Sequence, residues 1–300
     1  MRLTELAGSF DLTVLRDGDF RNLGFLDDQH ESQFVFLESR QFLAALLRHE
    51  NIRAVLTTPE LAEQIPGHLA VATCGQPRLA FAAIHNHLAQ TGFYWEEFAT
   101  VIHPLAQVHP TAWIAPNNIR VGRNSVVGPH ATILERCTIG EDVVIGAGAV
   151  LGGVGFQTVR AGEGMAEMRH AGGLLVGDRV HILPGAVIAT GLFRYNTTIG
   201  AEARIGSQAF VSHGVQAGER TFVGHGAVVN GNVKIGKQAW VGPGAVISND
   251  LEIGEQAFVS LGAVVIRDVP PGEQVSGNFA ISHQRLLRLL AAMEAEGGSG

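Results

Sequence analysis

The stretch IGAEARIGSQAFVSHGVQAGERTFVGHGAVVNGNVKIGKQAWVGPGAVISNDLEIGEQAFVSLGAVV, residues 199–265, decides the fold. An aliphatic residue returns at every sixth position: Ile199, Ile205, Val211, Ala217, Val223, Val229, Ile235, Val241, Ile247, Ile253, Val259 and Val265. Gly often follows it, as at Gly200, Gly236 and Gly254, and a small residue commonly stands four places on. A period of six is neither the 3.6 of an α-helix nor the 2 of an alternating strand. It fits a triangular solenoid in which each hexapeptide forms one short flat side and three sides close a rung. The aliphatic side chain then points inward, Gly or Asn at the corners takes φ > 0, and the small residue lets the sides close without overpacking. A β-sandwich would instead need alternation and turn signals every 8–12 residues or so, and neither is present.

Working outward, the same period runs upstream through Ile102, Val108 and Ile114, slips by one residue, and resumes at Val121, Val127, Ile133, Ile139, Ile145 and Leu151. After an interruption it continues at Val176, Ile182 and Ile188, and a shorter break follows. Roughly 24 hexapeptides predict about eight rungs and a prism roughly 38 Å long. Flat prism faces pack naturally into a closed three-fold ring, so a homotrimer is expected. Residues 1–100 read differently. Helical patterns at 41–48, 59–64 and 79–88 alternate with strand patterns at Ile52–Leu56 and Leu69–Thr73, a small α/β domain that ends near Gly92 and is followed by a linker through Thr100. The solenoid is expected over 101–280, with the Pro-Pro-Gly at 270–272 stopping the coil. A C-terminal helix and tail are expected over 281–300, with Leu286, Leu287, Leu289, Leu290 and Met293 at helical spacing. The predicted class is an all-β parallel solenoid with an N-terminal α/β domain and a C-terminal helix.

A formal charge of −7 and a pI near 6.0 argue against nucleic acid or an anionic membrane as partner, since both need clustered Lys and Arg. Cys74 and Cys137 stand alone, without CxxC spacing, so neither a disulfide framework nor a zinc–thiolate site is indicated. The opening MRLTELAGSF lacks an apolar core, so no signal peptide is expected. Without 18 consecutive apolar residues no transmembrane segment is expected either, and the expected location is cytoplasmic.

Three passages carry a likeness beyond the repeat: FLESRQF (Phe36 to Phe42) with QPRLAFA (Gln76 to Ala82), the interruption GGVGFQ…RHAGGLLVGDRV (Gly152 to Val180), and VSHGVQAG (Val211 to Gly218). Over nearly the whole chain the arrangement resembles LpxD, the UDP-3-O-(3-hydroxyacyl)glucosamine N-acyltransferase family of lipid A synthesis. The resemblance implies that the solenoid is left-handed and that residues 1–100 bind a nucleotide sugar. It also implies that His213 is the catalytic residue and that Phe36, Ser39 and Phe42 form the uridine site. The chain departs from the family at Ala189-Thr190 (an Asp-Arg pair there), Gly206 (Asp), Ser39 (Asn), Phe42 (Tyr) and Asp250 (His). The ending AVVIRDVPPGEQVSGN (Ala263 to Asn278) looks more like acetyl-CoA-dependent sugar acetyltransferases.

Acyl transfer to an amine needs a base for the amine proton and donors for the oxyanion of the tetrahedral intermediate. His213 suits the base, its ordinary pKa lying near neutrality. Two places after the inward Val211, it is expected to face outward from a flat side. The Gly214 N–H or that of a nearby Gly is the candidate oxyanion donor. His170, His225 and Asp250 are candidate contacts to donor or sugar, each with a plain alternative as an interface or corner residue. Phe36 and Phe42 can sandwich a uracil, or simply serve as core. The function expected is N-acyl transfer from an acyl carrier protein or coenzyme A thioester to a UDP- or dTDP-linked amino sugar. No resident cofactor, no metal and no cysteine acyl-enzyme are expected. The alternatives are an acetyl-CoA-dependent N-acetyltransferase of such a sugar, or a non-catalytic trimeric sugar-nucleotide-binding protein. A solenoid carbonic anhydrase would need closely spaced imidazoles for zinc, and no HxxxH or HxxxxH occurs.

Overall fold

The computed structural model describes residues 1–28, 30–161, 164–277, 282–285, 288 and 291. The chain opens with α1 (Leu3–Phe10), β1 (Thr13–Arg16), β2 (Asn22–Leu23) and β3 (Gln33–Leu37). A 3-10 turn at Arg40–Phe42 leads into α2 (Leu43–Leu46), then β4 (Ile52–Thr57), α3 (Pro59–Ala62), β5 (Ala70–Thr73) and α4 (Pro77–Leu88). The helix expected over 41–48 thus contracts to a 3-10 turn and one α turn. α4 opens on Pro77, the residue expected to open it, which suits a first helical position because its missing N–H has no intrahelical acceptor there. The sheet order is β1-β5-β4-β3-β2, with β1 antiparallel to β5 and the other pairs parallel. β3 alternates: Val35 and Leu37 face a core with Leu46, Val55 and Ala62, while Phe34 and Phe36 face α4 through Phe81.

From Val101 to Val275 the chain winds a left-handed parallel β-helix whose three sheets hold nine, eight and eight strands. Strand partners lie one rung apart, Val127 against Ile145 and Val211 against Val229. The one-residue slip appears as the pairing of Ile114 with Ile133. The periodic aliphatics and the small residues four places on, such as Ala131, Ala209 and Ala245, form one continuous buried interior. Where that small residue is polar it is satisfied locally, as Ser125 is by donating to the Gly140 carbonyl at 2.8 Å.

The corners only partly follow the expectation of Gly or Asn. Positive φ recurs every six residues on Asn124, His130, Arg136, Arg220, Gln238 and Asp250 as well as on Gly214 and Gly226. These outward corners leave room for long polar side chains. The Gly after each aliphatic has another cause: a Cβ on Gly200 would lie 2.5 Å from the Gly218 carbonyl carbon of the next rung. The solenoid also outlasts its expected stop. Past Pro270-Pro271-Gly272, Gln274–Val275 still pairs with Phe258–Val259. At the terminal rung, prolines forfeit no ladder bond to a following rung. The helix and tail expected over 281–300 lie largely outside the described residues.

The first interruption projects a hairpin, Thr158–Ala161 against Gly164–Glu167. Val159 and Met168 beside it, with Leu192 and Phe193 of the second break, share a core with Phe34, Phe81 and Leu88. His85 reaches the Arg169 carbonyl at 2.6 Å, and the Arg194 N–H donates to Asn22 Oδ1 at 3.3 Å. These contacts fasten the N-terminal sheet to the solenoid and bring the turn after β2 over one corner of the coil.

Candidate functional site

That corner is built from three stacked rungs. Val211 points inward, and Ser212-His213-Gly214 turn the chain, with Gly214 at φ +70°. One rung on stand Gly231 and Asn232, and one further Asn249 and Asp250. The Asn232 N–H donates to the His213 carbonyl and the Asp250 N–H to the Gly231 carbonyl, both at 2.9 Å. His213 therefore stands at a corner and not on a flat side, as the spacing had suggested. Its ring lies over Gly231, where a Cβ would come within 2.6 Å of Cε1 and 2.7 Å of Nε2. Only glycine at 231 leaves space for the imidazole.

His213 is 9% exposed, and its Nδ1 is enclosed without a hydrogen-bond partner. Nε2 makes no hydrogen bond among the described residues and is the nitrogen left open. His170 from the interruption meets it edge to face, with centroids 5.5 Å apart, and its own Nε2 is likewise buried and unpartnered. Burial lowers the His213 pKa against an opposing pull from Asp250. Burial first, and then His213 and His85, push His170 down to about 4. Both rings are thus held toward the neutral form, which can accept a proton.

His213 lines a cleft of about 750 Å³ whose other walls are Phe25, Asp27 and Asp28 of the N-terminal turn, Phe156 and Gln157 of the interruption, and Asn230 to Asn232 and Asn249-Asp250 of the corner. A lobe of about 590 Å³ shares Asp27, Asp28, Asn232 and Asp250 and adds His30, Tyr195, Gln216 and Lys234. Asp28 is pushed up to about 6, mainly by burial and further by Asp250 and Asp27, against the hydrogen bond from the Phe25 N–H. Asp250 accepts from Asn232 Nδ2 at 3.1 Å and from Asn249 Nδ2. The Tyr195 hydroxyl donates to Asn232 Oδ1 at 3.3 Å, and its ring stacks on His30 at 4.7 Å.

The structure gathers His213, His170 and Asp250 from the sequence-based candidates. Gly214 lines the adjoining lobe beside them, while His225, Phe36, Ser39 and Phe42 stand elsewhere. The Gly214 N–H donates to Thr197 Oγ1 at 2.9 Å, so that donor is already engaged. His225 sits exposed at a different corner, where its Nδ1 accepts the Ser207 N–H at 3.0 Å. Phe36 packs against Phe25 and Phe81 with the Arg78 guanidinium 5.4 Å above its ring. Phe42 is exposed on the 3-10 turn and Ser39 precedes it. None of these three lines the cleft. Asp28, Tyr195 and Gly231 are functional candidates that sequence reasoning passed over. A rung of three hexapeptides would have pointed to Gly231, eighteen residues beyond His213; Asp28, far away in sequence, gives no such signal. Burial raises both thiols, Cys74 and Cys137, away from the reactive thiolate. Among the described residues no three His, Cys, Asp or Glu side chains are grouped to hold a metal, and no helix is long and apolar enough to cross a membrane.

Fold and site together define a hexapeptide-repeat solenoid with an imidazole-bearing cleft at one corner. Residues 118–153 match the bacterial transferase hexapeptide (six repeats). No curated protein matches the chain. Among solved structures, the UDP-N-acetylglucosamine acyltransferase from Campylobacter jejuni is 20% identical, covering 65% of this chain and 83% of its own, with a TM-score of 0.49. The enzyme of the same name from Bacteroides fragilis is 23% identical, covering 63% and 78%, with a TM-score of 0.44. The Arabidopsis enzyme is 21% identical, covering 63% and 77%, with a TM-score of 0.42.

Proposed function

We propose that this chain is an acyltransferase that moves an acyl group from an acyl carrier protein or coenzyme A thioester onto the amine of a nucleotide-linked amino sugar, and that it works as a homotrimer. The observation that carries the reading is His213: an imidazole almost fully buried, held toward its neutral form, seated on a glycine and left with a free nitrogen at a cleft. In this reading the amine nitrogen attacks the thioester carbonyl carbon while His213 Nε2 takes its proton. The tetrahedral intermediate collapses with cleavage of the C–S bond, and the imidazolium returns the proton to the departing thiolate. With Gly214 engaged, the oxyanion donor in this reading is the N–H of Gly231, the glycine packed against the ring, which makes no hydrogen bond among the described residues. His170, neutral and edge-on to His213, keeps that side of the imidazole enclosed. The acyl chain has an apolar neighbour in Phe156, 89% exposed and lining the cleft.

The test is thiol release with a panel of UDP- and dTDP-amino sugars, each paired with acetyl-CoA, a 3-hydroxyacyl-CoA or a 3-hydroxyacyl carrier protein. One pairing is expected to release thiol, and His213→Ala to lower its kcat about 10²–10⁴-fold. Undiminished turnover in that variant removes His213 from the chemistry. Binding of a nucleotide sugar without thiol release from any pairing would instead favour a non-catalytic binding protein.

A further inference from the structure

Three carboxylates line the cleft and its lobe against one lysine, Lys234. Asp27 and Asp28 face it from the N-terminal turn, and Asp250 faces it from the solenoid corner. Asp28 Oδ2 accepts the Phe25 N–H at 2.7 Å, while Oδ1 receives no hydrogen bond among the described residues. Within 4.0 Å of Asp28 or Asp250 no Lys, Arg or His nitrogen forms an ion pair among the described residues; Asp27 alone approaches one, His49 at 3.9 Å. Two carboxylates converging on a half-buried space repel each other unless a cation comes between them. His213, more than nine-tenths buried, lines the same space, and its open Nε2 makes no hydrogen bond among the described residues. An incoming group that satisfies all three must carry positive charge and several N–H donors, and must end beside the imidazole. An ammonium does so, with three donors and one charge. A hydroxyl offers a single donor and no charge.

Resting on the acyl-transfer reading above, we infer that Asp28, with Asp250 opposite, receives the acceptor's ammonium group and selects an amino sugar over its hydroxyl counterpart. Acceptor choice then belongs to the N-terminal sheet, whose turn supplies Asp28, and the solenoid supplies the base.

The experiment is calorimetric titration of the full chain at pH 7.5 with UDP-glucosamine and UDP-glucose, and with the matching dTDP pair. Wild type is expected to bind the amino member of one pair about 10–100-fold more tightly, the scale of a charge-assisted contact. Asp28→Asn keeps an oxygen for the Phe25 N–H and is expected to bring the amino sugar down to the level of its hydroxyl partner, whose affinity stays unchanged. Asp250→Asn, which alters the solenoid and not the turn, is expected to shrink the same preference and serves where Asp28→Asn fails to fold. Equal affinity for both members, no binding of either pair, or a preference that survives both substitutions would overturn the inference. The two readings fail separately. A preference without thiol release sinks acyl transfer and leaves the ammonium site standing, and thiol release with an intact preference in both variants does the reverse.

Discussion

At the scale of single residues, the site depends on two positions held at a cost. Gly231 is one. A methyl group there would meet the His213 ring at 2.6 Å, so Gly231→Ala is expected to move the imidazole by an ångström or so and lower kcat about 100-fold, read by steady-state thiol release. A Gly231→Ala enzyme of normal kcat would show that the ring position is immaterial. Asp28 is the other. Its carboxyl, raised to about 6 in the folded chain, lies above its unfolded value near 3.9. The folded state therefore favours the neutral form: the stabilising contribution is complete below about pH 4 and is lost as pH rises through about 6. Asp28→Asn, neutral throughout, is expected to melt above wild type at pH 8, by up to about 2–3 kcal/mol, and to show no advantage at pH 4. A gain of the same size at both pH values would contradict the raised pKa. For His213, burial places the acid limb of kcat/KM below the ordinary imidazole value near 6.5. The imidazole was legible in the sequence through its place two residues after Val211 and the likeness of VSHGVQAG. Asp28 was not, because its role arises only when a turn of one domain is carried over a corner of another.

At the scale of elements, the period of six was enough to place nearly every solenoid strand, because each inward side chain must recur once per side. Ile235, 3% exposed in the continuous interior, is expected on truncation to Ala to cost about 2–5 kcal/mol. Exposed Glu252 in a neighbouring rung should change stability by no more than about 0.5 kcal/mol. Thermal melts of the two variants compare them directly, and equal losses would deny the inward-outward distinction. The N-terminal elements were less legible. β1, β2 and β3 run two to five residues, too short for a period to declare itself, and α1 went unread. Corner chemistry was half legible. Gly and Asn suit a left-handed backbone, yet outward corners also admit Arg, Gln and His, whose long side chains reach solvent.

At the scale of the whole molecule, the solenoid presents a ladder of stacked rings, Phe222 on Trp240 at 3.7 Å and Trp240 on Phe258 at 5.8 Å. Leu261, Val264 and Ile266 are exposed near the same end. Flat faces of this kind suit the proposed three-fold ring, and light scattering on the purified chain is expected to return about three times 31.8 kDa. A mass of one chain would remove the trimer. The charge and the single cysteines argue against nucleic acid and a disulfide scaffold from sequence alone, whereas the acceptor could be approached only through the assembled cleft. The most direct measurement is the bond made in the product. The acylated sugar formed by wild type, analysed by mass spectrometry before and after hydroxylamine, should be a hydroxylamine-stable amide formed about 10²–10⁴-fold more slowly by His213→Ala. A hydroxylamine-labile ester, or an amide formed equally fast without the imidazole, would contradict transfer to an amine by His213.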